Sequence, residues 1–220
     1  MKLAHYRIDK IFDFDKTPFS LLVLENVKEY YRLTNEFYLE SLGEEGGWIL
    51  TEKDVIDLKS KVELIYDFYA FSINGKKTQT LINSIIEKEF ASNDCFEMLS
   101  NINKNLLLLN EKLTDKIDVR ISYNDEFTLQ DFIKFSNYKV NEDNSLIERL
   151  IDYVDVCLKI KKTKLFVFFN IFDVLEEKEI NLFLGQLRYM ETKVLFINCK
   201  EYKYDLPLDK TIIDNDLCII

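Results

Sequence analysis

The stretch Lys164–Val174, KLFVFFNIFDV, decides the fold class. Eight of its eleven residues are apolar, and they form a continuous run without the alternation of a half-exposed strand. Such a run is typical of a strand buried on both faces, as in a parallel sheet flanked by helices. A similar run, Lys193–Asn198, comes after a segment with helical spacing. The repeated strand-and-helix order predicts an α/β fold with a mostly parallel sheet.

The order of patterns along the chain predicts two domains. The stretch Lys76–Leu158 contains neither glycine nor proline, and its apolar residues recur at helical spacing. From Cys95 to Leu113 they step by four and three residues, as in a coiled-coil seam. We therefore expect an α/β head domain at residues 1–75 and 159–220, with an α-helical leg domain inserted at residues 76–158. The seam is either the core of that leg or an oligomer interface.

Composition excludes several classes of protein and of active site. Hydrophobic residues make up 47% of the 220 residues, so the chain is globular and ordered, and no apolar run is long enough to span a membrane. The first residues become charged too early for a secretory signal, so we expect a cytoplasmic protein. The single histidine, His5, and four scattered cysteines give no support to a catalytic triad or a zinc centre. We expect no enzyme.

Two lysine clusters stand out from a chain whose formal net charge is −10. An acidic chain argues against a nucleic-acid partner unless its positive charges are segregated onto one surface. Both clusters precede predicted strands, so we expect them at one end of the sheet, either as a solvated surface or as a patch that contacts DNA phosphates. The candidate DNA-binding residues are Lys53, Lys59, Lys61, Lys159, Lys161, Lys162 and Lys164.

Several oxygen-bearing side chains lie close together around a predicted helix start. The capping pattern Thr128-x-x-Asp131 marks that start. The acids are explained either by the preference of negative side chains for a helix N-terminus or by a calcium site that another segment or subunit completes. The candidate calcium ligands are Asn124, Asp125, Glu126 and Asp131.

The sequence Gly75-Lys76-Lys77-Thr78 is similar to the end of a phosphate-binding loop. In that loop, glycines let the backbone amides surround a phosphate, and the hydroxyl of Ser or Thr binds magnesium. Here Ala70 stands at the position of the first glycine, and an extra lysine separates Gly-Lys from Thr78. The stretch is therefore either a simple turn at a helix start or, as an alternative, the mark of a nucleotide-dependent enzyme.

The arrangement as a whole resembles the Csn-two family of type II-A CRISPR-associated accessory proteins, in particular its shorter members. The resemblance rests on the strand runs, the acidic helix start and the basic strand together with their order, which covers nearly the full chain. The segments that carry it are Phe19–Val27, the predicted second strand at Leu64–Tyr69 with its continuation through Asn74, Asp125–Thr128 with Phe132–Lys134 and Lys139–Val140, Lys161–Asn170, Lys193–Ile197 and the final Ile-Ile-Asp-Asn-Asp.

This resemblance implies a fold and a function that spacing alone does not give. The family fold is a head similar to a degenerate P-loop NTPase, with a helical leg. Four copies form a ring whose basic hole holds linear double-stranded DNA, and calcium at acidic sites helps to hold the ring together. The family acts without catalysis in spacer acquisition, alongside the CRISPR integrase and the RNA-guided nuclease. The alternative for this chain is a protein-interaction adaptor that uses its helical arm.

Overall fold

The chain folds into two compact units. The computed structural model describes residues 1–69, 71–92, 94–140 and 145–220. The first unit is formed by residues 1–73 and 142–220, and the second unit by residues 74–141. We describe each unit by itself.

The first unit contains two sheets. The larger sheet has five strands in the order β6-β7-β8-β3-β9, and its neighbouring strands are all parallel. This sheet confirms the predicted mixed α/β fold with a parallel sheet. The smaller sheet is antiparallel, with the order β2-β1-β4-β5. The strands are β1 (Lys2–His5), β2 (Ile8–Asp13), β3 (Phe19–Leu24), β4 (Trp48–Thr51), β5 (Val55–Ile56), β6 (Val62–Ile65), β7 (Leu165–Phe169), β8 (Val194–Asn198) and β9 (Asp209–Ile213).

Seven α-helices occur in the described part of the chain. A π-helix at Cys157–Lys161 and a 3-10 helix at Ile171–Asp173 accompany them. Among the residues that the structure describes, no helix has both the length and the apolar character needed to cross a membrane. The α-helices are α1 (Val27–Leu42), α2 (Leu58–Lys61), α3 (Lys76–Ser92), α4 (Cys95–Thr114), α5 (Leu129–Ser136), α6 (Leu146–Val156) and α7 (Glu177–Tyr189).

The parallel sheet is buried on both faces, as its continuous apolar strands require. On one face, Phe168 and Phe196 pack in a cluster with residues of α6 and α7. On the other face, Val167 and Leu195 pack with α1 and with the antiparallel sheet. Every residue of β3, β7 and β8 is buried. Two hydrophobic cores therefore hold the parallel sheet between them.

Helix α6 belongs to the first unit, whereas the sequence analysis placed it in the helical leg at residues 76–158. Ile147, Leu150 and Val154 are buried in the same cluster as Phe168. An apolar stripe at helical spacing shows that a helix packs on something, but it does not show which core the helix joins. The described boundary between the units consequently lies before α6.

The second unit is helical within its described residues and has little buried surface. α5 begins at the predicted capping box, in which Thr128 and Asp131 bond to each other's backbone. Asn74 joins α3 to the end of the unit, because its side chain donates to the carbonyl oxygen of Val140 and accepts from the Val140 amide. No residue of α4 is fully buried, and Leu108, Leu109 and Leu113 are more than half exposed.

Candidate nucleic-acid interface

A row of lysines lines the amino end of the parallel sheet. Lys61, Lys164 and Lys193 each stand immediately before a strand, and those strands, β6, β7 and β8, are neighbours. The amide of Lys164 donates to the carbonyl oxygen of Lys61 at 2.8 Å, and the amide of Phe166 donates to that of Lys193 at 3.0 Å. The register pairs Val62 with Leu165 and Phe166 with Val194, so Lys61 stands opposite Lys164, whereas Lys193 is offset by one residue. Adjacent strands lie roughly 5 Å apart. We call these three residues the basic row.

The sequence analysis missed Lys193 as a member of this row. It belongs to no lysine cluster, and Thr192 before it is buried. The available signal was its position, because a lysine directly precedes the continuous apolar run of β8 just as Lys164 precedes that of β7. Position relative to a buried parallel strand was thus more informative than local lysine density.

Carboxylates accompany the exposed members of the row. Lys164 forms an ion pair with Glu52, and Lys193 lies 2.8 Å from Asp15, which also pairs with the amino group of Met1. The hydrogen bond from Lys193, together with that from the Met1 amino group, lowers the pKa of Asp15 to about 2. The hydrogen bond from Lys164 likewise lowers the pKa of Glu52. Both acids are therefore anionic at neutral pH and compete with any phosphate for these ammonium groups.

Lys161 differs from the row because its partner is buried. Its ammonium group pairs with Glu63 of β6, whose side chain is only 7% exposed. The other oxygen of Glu63 accepts a hydrogen bond of 2.6 Å from the hydroxyl of Tyr153. Burial, and then the neighbouring Cys157 and Glu63, raise the pKa of Tyr153, so its hydroxyl stays a donor. Lys161 neutralises a buried acid, and this use of its charge makes it a structural residue.

The remaining predicted lysines lie around the same end of the sheet. Lys159 pairs with Asp155 one helical turn earlier, at 2.6 Å. Lys53, Lys59 and Lys162 are exposed, and neither they nor Lys61 forms an ion pair within the part of the chain that the structure describes. Lys162 ends the π-helix with a positive φ of 55°. The structure therefore brings both predicted clusters together, but with different degrees of neutralisation.

The four predicted calcium ligands line one open cleft of the second unit, together with Leu106, Asn110 and Phe127. Asp131 is already engaged: its Oδ2 accepts from the amide and the hydroxyl of Thr128, at 3.1 and 2.6 Å. The hydroxyl hydrogen bond lowers the pKa of this carboxyl. The Oδ1 of Asn124 accepts from the amide of Glu126 at 3.4 Å. The carboxylates of Asp125 and Glu126 form no ion pair with any residue that the structure describes, so they could contact a cation.

The described residues of one chain do not group enough acidic side chains for a calcium site in this cleft. Within the described residues, no three His, Cys, Asp or Glu side chains are grouped so as to hold a metal ion. Calcium takes six to eight oxygens, and the capping role of Asp131 reduces what this cleft can supply. A calcium ion here would need oxygens beyond those of the described cleft residues.

The sequence of this chain matches a known protein family. The chain matches the family described as CRISPR-associated protein (Cas_Csn2) over residues 42–217. The chain belongs to this family. Membership implies a role in CRISPR adaptation and partners within the CRISPR system. The matched region includes the whole basic row and the acidic cleft. No curated protein matches the chain significantly.

In this member of the Csn2 family, Gly75-Lys76-Lys77-Thr78 forms the start of α3. A working phosphate loop joins a strand directly to a helix, but β6 ends at Ile65 and α3 begins at Lys76. Thr78 is buried, with 4% exposure, so its hydroxyl does not face a solvent-accessible phosphate site. Ala70, the position of the first glycine, lies outside the described residues. The geometry gives the nucleotide-dependent enzyme no support.

Proposed function

We propose that this protein is a non-catalytic, sequence-independent binder of linear double-stranded DNA that acts in spacer acquisition. The observation that carries the proposal is the basic row, in which three lysines precede three neighbouring strands at one end of the parallel sheet. Ammonium groups along the amino end of the sheet can contact DNA phosphates. Phosphate contacts supply affinity without recognising the base sequence. Lys53, Lys59 and Lys162 extend the same positive edge.

The proposal includes a homotetrameric ring of this cytoplasmic protein. Because the net charge of one chain is −10, a single copy would repel DNA over most of its surface. Convergence of several basic rows would produce a local positive surface that one row does not. Calcium enters the proposal as a structural ion at Asn124, Asp125, Glu126 and Asp131, with further oxygens from a neighbouring subunit. The CRISPR integrase and the RNA-guided nuclease are the proposed protein partners.

The test compares two triple variants with the same change in charge. Lys61, Lys164 and Lys193 are replaced by Ala in one variant. In the other, Lys28, Lys178 and Lys203 are replaced, which are exposed and follow the carboxyl ends of β3, β7 and β8. Fluorescence anisotropy with a labelled 30-base-pair duplex is measured across a salt series. If three phosphate contacts are lost, the salt slope of log affinity falls by about 2.7. Equal effects of the two variants would overturn the proposed interface.

A protein-interaction adaptor is the second candidate, and the exposed leucines of α4 favour it. A large exposed apolar surface on a soluble protein often marks a site of association with another protein. Cross-linking of purified protein to the nuclease of the same system, with DNA removed by nuclease treatment, distinguishes the candidates. An adaptor cross-links without DNA and tolerates the loss of the basic row, whereas the DNA binder does not retain its function without that row.

A further inference from the structure

A groove at the opposite, carboxyl end of the parallel sheet has a different chemistry. Its floor and walls are aromatic: Tyr31 and Tyr38 come from α1, Tyr66 follows β6, and Phe169 ends β7. Its volume is about 340 Å³. In open parallel sheets, the crevice beyond the carboxyl ends of the strands is the usual place for a ligand. The groove therefore lies where this class of fold most often binds small molecules.

The aromatic rings contact one another along the groove, and two of its tyrosines are largely exposed. The ring centroids of Tyr38 and Tyr66 lie 5.8 Å apart in an edge-to-face arrangement. The ring of Tyr66 is tilted against that of Phe169, with 6.5 Å between the centroids. Tyr31 is 68% exposed and Tyr66 is 56% exposed. Exposed aromatic rings can stack on a planar ligand, which buries apolar surface. The walls suit a flat ring.

The groove also offers neutral polar groups, and none of its lining residues carries a charged side chain. The amide of Asn35 has no hydrogen-bond partner within the described residues, so one donor group and one acceptor are available. The hydroxyl of Tyr30 accepts a bond of 2.7 Å from Asn170. Burial raises the pKa of Tyr30 to about 12, and burial, followed by the interaction with the Tyr38 hydroxyl, raises that of Tyr66, so both hydroxyls stay neutral.

We propose that this groove binds an unpaired nucleobase. A nucleobase is planar, stacks on aromatic side chains and presents adjacent donors and acceptors, which an Asn amide recognises through two hydrogen bonds. Because no cationic residue lines the groove, the base and not a phosphate group is the part that is held. The base can belong to a free nucleoside or to the single-stranded end of a DNA strand. This inference does not rest on the basic row.

The experiment titrates wild-type protein with adenosine, guanosine, cytidine and thymidine, followed by saturation-transfer NMR and calorimetry. A second arm compares a blunt duplex with the same duplex carrying a single-stranded overhang. We expect saturable binding of at least one nucleoside, or tighter binding of the overhang than of the blunt duplex. Tyr66→Ala removes a stacking wall and should weaken that binding by about 5- to 100-fold. The two arms show which source presents the base.

Tyr69→Ala is the matched control, because Tyr69 is 95% exposed and does not line the groove. It should leave nucleobase binding unchanged. If Tyr66→Ala alters the circular dichroism spectrum, Tyr31→Ala, at a more exposed ring, replaces it. The proposal fails if neither a nucleoside nor an overhang binds saturably, or if binding persists undiminished in the groove variants. Loss of blunt-duplex binding in the basic-row variant, with nucleobase binding intact, separates this inference from the proposed function.

Discussion

The two ends of the parallel sheet use the same strands for opposite chemistry. At the amino end, lysines stand before β6, β7 and β8, and those before β7 and β8 pair with carboxylates from distant parts of the chain. At the carboxyl end, the groove is lined by neutral groups, and beside it the side chain of Asn170 connects Tyr30 to the amide of Cys199. The same sheet thus presents a charged amino end suited to phosphates and an aromatic groove at its carboxyl end suited to bases.

The largest expected effect tests whether Lys161 is structural while the basic row is not. Lys161→Met leaves Glu63 buried without its counter-charge, which should lower the free energy of unfolding by about 3–5 kcal/mol. The matched change Lys164→Met breaks a half-exposed pair with Glu52 and should cost within about 1 kcal/mol. Urea denaturation of both variants measures the difference.

The double variant Lys161→Met/Glu63→Leu provides the control for this prediction. Removing both charges should restore most of the lost stability, because no unpaired charge remains buried. Equal stability losses in the two lysine variants would show that the amino end has no distinction between structural and surface lysines.

At the carboxyl end, the corresponding test is Asn170→Ala. The substitution removes two hydrogen bonds of the Asn170 side chain, of 2.7 and 2.9 Å, and the alanine must adopt a positive φ of 53°. We expect a loss of about 2–3 kcal/mol in the free energy of unfolding. Asn170→Gly removes the same bonds but tolerates the backbone, so it should be less harmful. A more stable alanine variant than glycine variant would contradict this account.

A smaller effect concerns the carboxylates that accompany the basic row. Glu52→Gln releases the ammonium group of Lys164 and removes a negative charge from the edge. We expect the affinity for a blunt duplex at low salt to rise by about two- to fivefold, in line with the modest strength of exposed pairs. Asp173→Asn, which removes a charge beyond the carboxyl end of β7, is the control. An equal rise in the control would mean that only net charge matters.

The smallest effect is a change in acid sensitivity. The pKa of Asp15 is lowered to about 2 in the folded protein, below its value of about 3.9 in an unfolded chain. Asp15 therefore stabilises the fold above about pH 4, and this contribution disappears as the pH falls towards 2. Asp15→Asn should lose less stability than wild type over that range in urea titrations. Parallel pH profiles would show that Asp15 does not act in this way.

Part of the fold could be read from the sequence because burial leaves a simple pattern. The continuous apolar runs of β7 and β8 predicted strands covered on both faces, and those strands lie in the parallel sheet. The antiparallel sheet was missed, since β1 and β2 are short and mix charged with apolar residues. Helix α6 was assigned to the helical leg, whereas it packs in the core of the first unit. Its apolar stripe shows that the helix packs on a core, but not on which one.

The site was less predictable, since it depends on contacts between distant residues. Lys161 and Lys164 look alike in sequence, but Glu63 and Glu52 lie about a hundred positions away from them, and only the fold makes one pair buried and the other exposed. The aromatic groove also combines α1 with the ends of two strands, and its tyrosines show no common motif. Local sequence patterns predict neither the ion pairs of these lysines nor the grouping of the groove's aromatic residues.

The most direct test of the basic edge is lysine protection by DNA. Purified protein is acetylated with and without a saturating blunt duplex, and the modification of each lysine is measured by mass spectrometry. The account predicts protection of Lys61, Lys162, Lys164 and Lys193, with Lys28, Lys178 and Lys203 modified equally in both samples. Protection of the second group, with the first left reactive, would contradict the account and place DNA at the other end of the sheet.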